Sequence, residues 1–140
     1  VPDAEASQTP TSVLDASAVM ALLHDEEGSS AVVDAIADGA TISAVNWAEV
    51  LSNVAADGDD PQEVSNRLSV TGEEVVMWVE ALTAADCMEV ARLRPVTKAQ
   101  GLSLADRACL ALAERLGVPA LTTDREWAKV DVEAEVRLIR

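Results

Sequence analysis

The stretch "LSLADRACLALAERLGVPALTTD", Leu102 to Asp124, carries the decision about the fold. Leu104 to Leu116 is an Ala- and Leu-rich helical pattern. Ser103 and Asp106 before and within it match a capping box, with Asp where Glu or Gln is usual. Gly117 followed by Pro119 ends the helix. Ala120 to Thr123 then reads as a short buried strand running into Asp124. One feature is out of place. Asp106 heads a stripe of Cys109, Leu110 and Ala113, all apolar, while Arg107, Glu114 and Arg115 form the expected polar face. A carboxylate at the head of a buried stripe must be paired, protonated or bound to something cationic.

Working outward, the same alternation recurs. Strand candidates are Ser12 to Leu14, Thr41 to Ser43, Val75 to Val79, Ala120 to Thr123 and Val136 to Ile139. Helical patterns lie between them at Ala18 to His24, Ser29 to Asp38, Val45 to Ala56, Pro61 to Ser69, Thr83 to Arg94 and Leu104 to Leu116. "DGDDP" at Asp57 to Pro61 and "RPVTKAQG" from Arg94 are breaks. Strands alternating with helices predict a parallel sheet covered on both faces. Such sheets bind ligands at the carboxyl ends of their strands. "SVLDAS" and "ALTTD" therefore set Asp15 and Asp124 on the same rim.

Composition limits what that rim can do. The 140 residues make one domain, long enough to bury roughly two-thirds of the unfolded surface. The chain is 49% hydrophobic but has no Phe or Tyr, so its core is aliphatic and base stacking cannot dominate any nucleic-acid binding. The net charge is −15. Residues 1 to 66 hold 13 acids and no base, whereas the remainder holds 12 acids and 10 bases. Such a surface is a poor general polyanion binder and suits cations or a basic partner. If the substrate is a nucleic acid, Arg and Lys of the second half must supply local positive charge. His24 is the sole histidine, which excludes a two-histidine nuclease mechanism and a histidine-rich zinc site within one chain. Cys87 and Cys109 lack metal-ligand spacing and are expected to be buried free thiols of a cytoplasmic protein. No run approaches the length of a membrane span, and the start has no signal-peptide character. Residues 1–11 are expected to form a flexible tail and 12–140 the domain.

Four acids carry the chemistry, and each has a plain structural reading as well. Asp15 can cap the helix that follows it, although Ser17 can do so instead and free Asp15. Glu49 lies with Asn46 and Asn53 on a polar stripe opposite Val50, Leu51 and Val54, which also describes a solvated helix face. Asp106 fits its capping box, and Asp124 can cap "DREWAK". The set is harder to explain away than its members. Like charges about 4 Å apart repel by roughly 4 kcal/mol at an effective dielectric near 20. A divalent cation reverses that sign, and carboxylates without His or Cys make a hard oxygen site suited to Mg²⁺ or Mn²⁺. Phosphodiester hydrolysis uses such equipment.

"VLDASAVMALLHDEEGS", "ISAVNWAEVLSNV" and "GLSLADRACLALAERLGVPALTTDREWAKV" together resemble the PIN-domain ribonucleases, in particular VapC-type toxins of toxin–antitoxin pairs. The resemblance runs from Ser12 to the C-terminus. It implies a three-layer α/β/α domain around a mainly parallel sheet of four or five short strands. It implies Asp15, Glu49, Asp106 and Asp124 as metal ligands and catalytic acids, with Ser17, Asn46 and Thr123 in support. It further implies Mg²⁺ or Mn²⁺, an RNA substrate, a homodimer, and a cognate antitoxin whose basic C-terminal segment fills the groove. A catalytically silent protein-binding relative and a DNA-cutting one are the alternatives. A receiver domain is disfavoured because Asp15 lacks an adjacent acid, and a haloacid-type phosphatase because Asp15-Ala16-Ser17 is not Asp-x-Asp.

Overall fold

A computed structural model of the chain describes residues 10–68, 70 and 76–140. Five strands and six α-helices alternate along it: β1 (Ser12–Leu14), α1 (Ala16–Leu23), α2 (Ser29–Asp38), β2 (Ala40–Ser43), α3 (Ala44–Ala56), α4 (Pro61–Arg67), β3 (Trp78–Glu80), α5 (Ala84–Thr97), α6 (Leu104–Leu116), β4 (Ala120–Thr122) and β5 (Val136–Leu138). Two 3₁₀ turns, Lys98–Gln100 and Arg125–Lys129, follow α5 and β4. All strand pairs are parallel, in the order β3-β2-β1-β4-β5. The chain therefore leaves β1 in one direction for β2 and β3 and returns beside it for β4. That reversal opens a crevice over the carboxyl ends of β1 and β4.

Alternation along the short strands divides the core into two layers. Leu14, Ile42 and Leu121 pack with Val19, Val32, Trp47 and Val50 of α1, α2 and α3. Val13 and Ala120 face Val90 and Leu93 of α5, Leu110 and Leu112 of α6, and Trp127. Fully burying each such aliphatic side chain is worth about 1.5–3 kcal/mol, which is how a core with so few aromatics holds together.

Several boundaries differ from the sequence reading, each for a local reason. Helix α1 begins at Ala16, two residues early, because Asp15 itself is its N-cap. The expected strand from Val75 begins at Trp78, where pairing with Thr41 begins, and Val75 lies outside the described residues. Ser69, the expected end of α4, also lies outside them. Helix α5 continues through Pro95 to Thr97. Pro95 removes one backbone donor from the last turns only, while buried Leu93 and Thr97 hold that end, the Thr97 hydroxyl donating to Leu93 O at 2.8 Å. Thr11, expected in the tail, bonds through its backbone N–H to Gly39 O. Cys109 is buried and Cys87 is exposed, both as free thiols, so the expectation holds for one of them. Among the described residues no helix is long and apolar enough to cross a membrane.

Candidate active site

Asp15 stands where β1 stops. Its backbone N–H extends the sheet by donating to Leu121 O at 3.1 Å, and its side chain turns back to start α1. Oδ1 accepts from the Ala18 N–H at 2.8 Å and from the Ser17 hydroxyl at 2.7 Å; Oδ2 accepts from the Thr122 hydroxyl. The residue is only 3% exposed. Burial pushes its carboxyl up to about 6 against those three hydrogen bonds, and the nearby charge of Asp106 pushes the same way. Capping by Ser17 in place of Asp15 does not occur. Ser17 lies inside the first turn, and its hydroxyl instead accepts from the Thr123 N–H at 3.0 Å.

Thr122 is the residue that the sequence reading missed. Register pairs Leu14 with Leu121, so the next position, Thr122, falls beside Asp15. Its buried hydroxyl donates to Asp15, accepts from the Asp124 N–H at 3.0 Å, and lies 3.3 Å from the Ser17 hydroxyl. Thr123, the expected support, contributes its backbone N–H alone. The motif "LTTD" shows two adjacent threonines, and only the pairing of β1 with β4 distinguishes them.

On the other side of the crevice, Ser43 caps α3, accepting from the Asn46 N–H at 3.1 Å while its hydroxyl donates to Asn46 Oδ1. Asn46 Nδ2 then donates to Ala105 O at 3.1 Å in the first turn of α6. Asn46 is fully buried, so it does not belong to a solvated face with Glu49 and Asn53, which are exposed. It fixes the helix carrying Glu49 against the helix carrying Asp106. Partial burial, then the Asp106 charge, raises the Glu49 carboxyl above its ordinary value.

Asp106 closes its capping box with Oδ2, which accepts from the Ser103 N–H at 2.9 Å, while the Asp106 N–H donates to Ser103 Oγ at 3.1 Å. Its Oδ1 has no hydrogen-bond partner among the described residues. Burial raises its carboxyl, the two Ser103 bonds oppose that, and Asp124 adds like charge. Asp124 caps the second 3₁₀ turn, accepting from the Glu126 N–H at 3.0 Å, and is exposed. The expected polar face of α6 also changes: Arg107 is 8% exposed, with its guanidinium donating to Val90 O, and the Glu114 side chain is 9% exposed.

Asp15, Glu49, Asp106 and Asp124 thus line one cleft of about 180 Å³ with Ser17 and Asn53, and no basic side chain lines it. A larger groove of about 520 Å³ lies elsewhere, beside Ser12, and sets Asp34 and Asp38 against Arg137, so it is not of one sign. Among the described residues no three His, Cys, Asp or Glu side chains already surround a single point as ligands. Asp15, Asp106 and Asp124 are each engaged in capping a helix or turn. The donor set still fits a hard divalent cation. It is all oxygen, no basic side chain lines it, and the carboxyls of Asp15, Glu49 and Asp106 are raised by burial first and by neighbouring acids second.

The PIN domain profile matches residues 12–133. The chain belongs to the PIN-domain family. Its five-stranded parallel sheet between helical layers is that of a PIN domain. Solved structures of similar fold include a toxin–antitoxin complex from Klebsiella pneumoniae, at 17% identity and a TM-score of 0.72, covering 93% of this chain and 98% of that one. VapBC2 from Rickettsia felis, bound to a DNA fragment from its promoter, is 15% identical with a TM-score of 0.69, covering 91% and 98%. VapC20 from Mycobacterium tuberculosis, a sarcin–ricin loop cleaving toxin, is 17% identical with a TM-score of 0.68, covering 89% and 99%. No curated protein matches this PIN domain by sequence.

Proposed function

We propose that this PIN domain is a VapC-type endoribonuclease toxin that hydrolyses RNA phosphodiester bonds with Mg²⁺ or Mn²⁺ held by Asp15, Glu49, Asp106 and Asp124. One observation carries the reading: four carboxylates from β1, α3, α6 and the end of β4 meet in one cleft at the reversal of the sheet, with no base among them. When bound, such an ion supplies a more acidic water and offsets charge on the phosphate. The protein's part is arrangement. Thr122 and Ser17 donate to Asp15, fix its position and favour its ionised form against burial. The Asn46 bond to Ala105 O sets Glu49 at a fixed station opposite Asp106. Asp106 Oδ1, left open by the capping box, accepts the proton of the attacking water.

Toxin–antitoxin complexes among the structures of similar fold support an antitoxin as partner. An antitoxin segment with Arg or Lys satisfies the same carboxylates by charge-assisted hydrogen bonds and so blocks the cleft. A homodimer in the cytoplasm completes the proposal.

The test uses an RNA and a DNA of the same sequence, each with Mg²⁺, with Mn²⁺ and with chelator. Cleavage of the RNA alone, dependent on the ion, is the expected result. Cleavage of the DNA alone makes this a DNA-cutting relative, and no cleavage of either across a varied RNA pool leaves the silent binding module.

A further inference from the structure

Unpaired positive charge is scarce in this protein, and its placement is uneven. Of ten basic side chains, Arg92, Arg115, Lys129, Arg137 and Arg140 are ion-paired to acids of the same chain. Arg107 is buried against Val90 O. Among the described residues, Arg67, Arg94, Lys98 and Arg125 have side chains with neither ion pair nor hydrogen bond, and all four are exposed. Arg67 ends α4. The other three are on or next to two neighbouring 3₁₀ turns. Arg94 and Lys98 are one turn apart where α5 passes into the first 3₁₀ turn, and Arg125 opens the second, directly after Asp124. The two 3₁₀ turns pack against each other. The first leads through Gly101 and Leu102 to Ser103, the cap of the helix that carries Asp106.

The cleft therefore has two unlike walls. Helix α3 carries Glu49 and leads into Asp57, Asp59, Asp60 and Glu63, with no base before Arg67. On the wall of Asp106 and Asp124, Arg125 follows Asp124 directly and Lys98 precedes Ser103, the cap of the Asp106 helix, by five residues. A polyanion approaching a protein of net charge −15 meets repulsion along the first wall and free cations along the second. Those cations have no internal partner to give up, so contact with phosphate gains charge pairing and counterion release without breaking an ion pair.

We propose that Arg125 and Lys98, with Arg94 behind them, bind backbone phosphates next to the scissile bond, so that the RNA strand enters over the two 3₁₀ turns and not over α3. This rests on the nuclease reading of the cleft. It assigns the polarity of the substrate path, and it assigns two exposed side chains to substrate affinity apart from the acids that perform the chemistry.

The experiment measures binding of a fluorescent single-stranded oligouridylate to the Asp106→Asn protein, which leaves it uncut, across a range of salt. A Lys98→Ala/Arg125→Ala pair on that background is expected to bind about tenfold more weakly. Its log–log salt slope should be shallower by about 1.4, or about 0.7 for each phosphate no longer neutralised. Arg67→Ala should change neither quantity. On the active background the same pair should raise KM and spare kcat, as loss of uniform binding does. An unchanged affinity and slope in the double variant overturns the path while leaving cleavage, and so the nuclease reading, standing. An equal loss in Arg67→Ala also overturns it, since attraction is then diffuse. If the oligouridylate and a varied RNA pool all fail to bind or be cut, both readings go together.

Discussion

Helices α5 and α6 open with the same device and put it to opposite uses. Thr83 and Asp86 form one capping box, Ser103 and Asp106 the other, and their bond lengths agree: 2.9 Å from the cap N–H to Oδ2 and 3.1 Å from the acid's N–H to the cap hydroxyl in both. The difference lies in the second oxygen. Oδ1 of Asp86 accepts from Arg115 Nε at 2.9 Å, and Arg115 with the Thr83 bonds holds the carboxyl below its ordinary value despite burial. Oδ1 of Asp106 has no such partner among the described residues; Asp106 lines a cleft with three other acids, and its carboxyl is raised, chiefly by burial. A capping box therefore explains one oxygen of a carboxylate and leaves the other to be explained. Capping and a part in the cleft are compatible in Asp106, because each uses a different oxygen.

The largest test exchanges the two acids for their amides. Asp106→Asn keeps the size and the cap acceptor but removes a charge from the cleft and, with it, the proposed proton acceptor. Cleavage should fall at least about a hundredfold, equivalent to about 2.7 kcal/mol in the barrier. Stability should hold or rise by up to about 1 kcal/mol, because a like charge has gone. Asp86→Asn should do the reverse, leaving cleavage intact and costing about 2 kcal/mol through the stranded Arg115. Cleavage rates and urea midpoints on the same preparations read both arms. A normal rate in Asp106→Asn returns that residue to capping alone.

The comparison also marks how far the sequence could be read. The alternation of strands and helices is a property of consecutive residues, so the parallel sheet was legible, as were acids at strand ends. What escaped depended on contacts between distant segments. Thr122 differs from Thr123 only through the register of β1 with β4. Asn46 leaves the solvated face because its partner, Ala105 O, lies 59 residues on. Arg107 reads as polar in a helical projection, yet its guanidinium reaches a backbone carbonyl of α5, which no periodicity within α6 can reveal. The exposure of Cys87 likewise follows from which face of α5 meets α6.

Metal sharpens the comparison at intermediate size. A ligand bound only by the folded state adds RT ln(1 + [L]/Kd), about 2.7 kcal/mol at a hundredfold excess over Kd. Mg²⁺ or Mn²⁺ should raise the Tm of the wild type and of Asp86→Asn by equal amounts, and raise that of Asp106→Asn less. Calorimetry should show the corresponding loss of affinity in Asp106→Asn alone. Equal shifts in all three proteins, or none, would remove Asp106 from the ligand set.

The smallest effect is in pH, where the two boxes should part in sign and in window. Asp86 has a lowered folded pKa, so it stabilises the fold above its ordinary value of 3.8 and loses that contribution only as pH falls through the still lower folded value. Asp106 has a raised one. Its ionisation penalises the fold fully above the raised value, and the penalty vanishes as pH falls toward 3.8. With chelator present, the wild type should be less stable than Asp106→Asn near neutrality, and the gap should close on moderate acidification. The opposite gap to Asp86→Asn should stay open over that range and close only below it. Glu114, which burial and the neighbouring Glu89 push up to about 7 beside Arg92 and Glu133, titrates in all three proteins and cancels in the differences. Asp15 does not cancel fully, since Asp106 helps to raise it. Its relief in Asp106→Asn has the same sign and widens the neutral gap. Urea midpoints from pH 7 downward decide the matter, and two gaps that close together would mean that the second oxygens of the two boxes see the same surroundings after all.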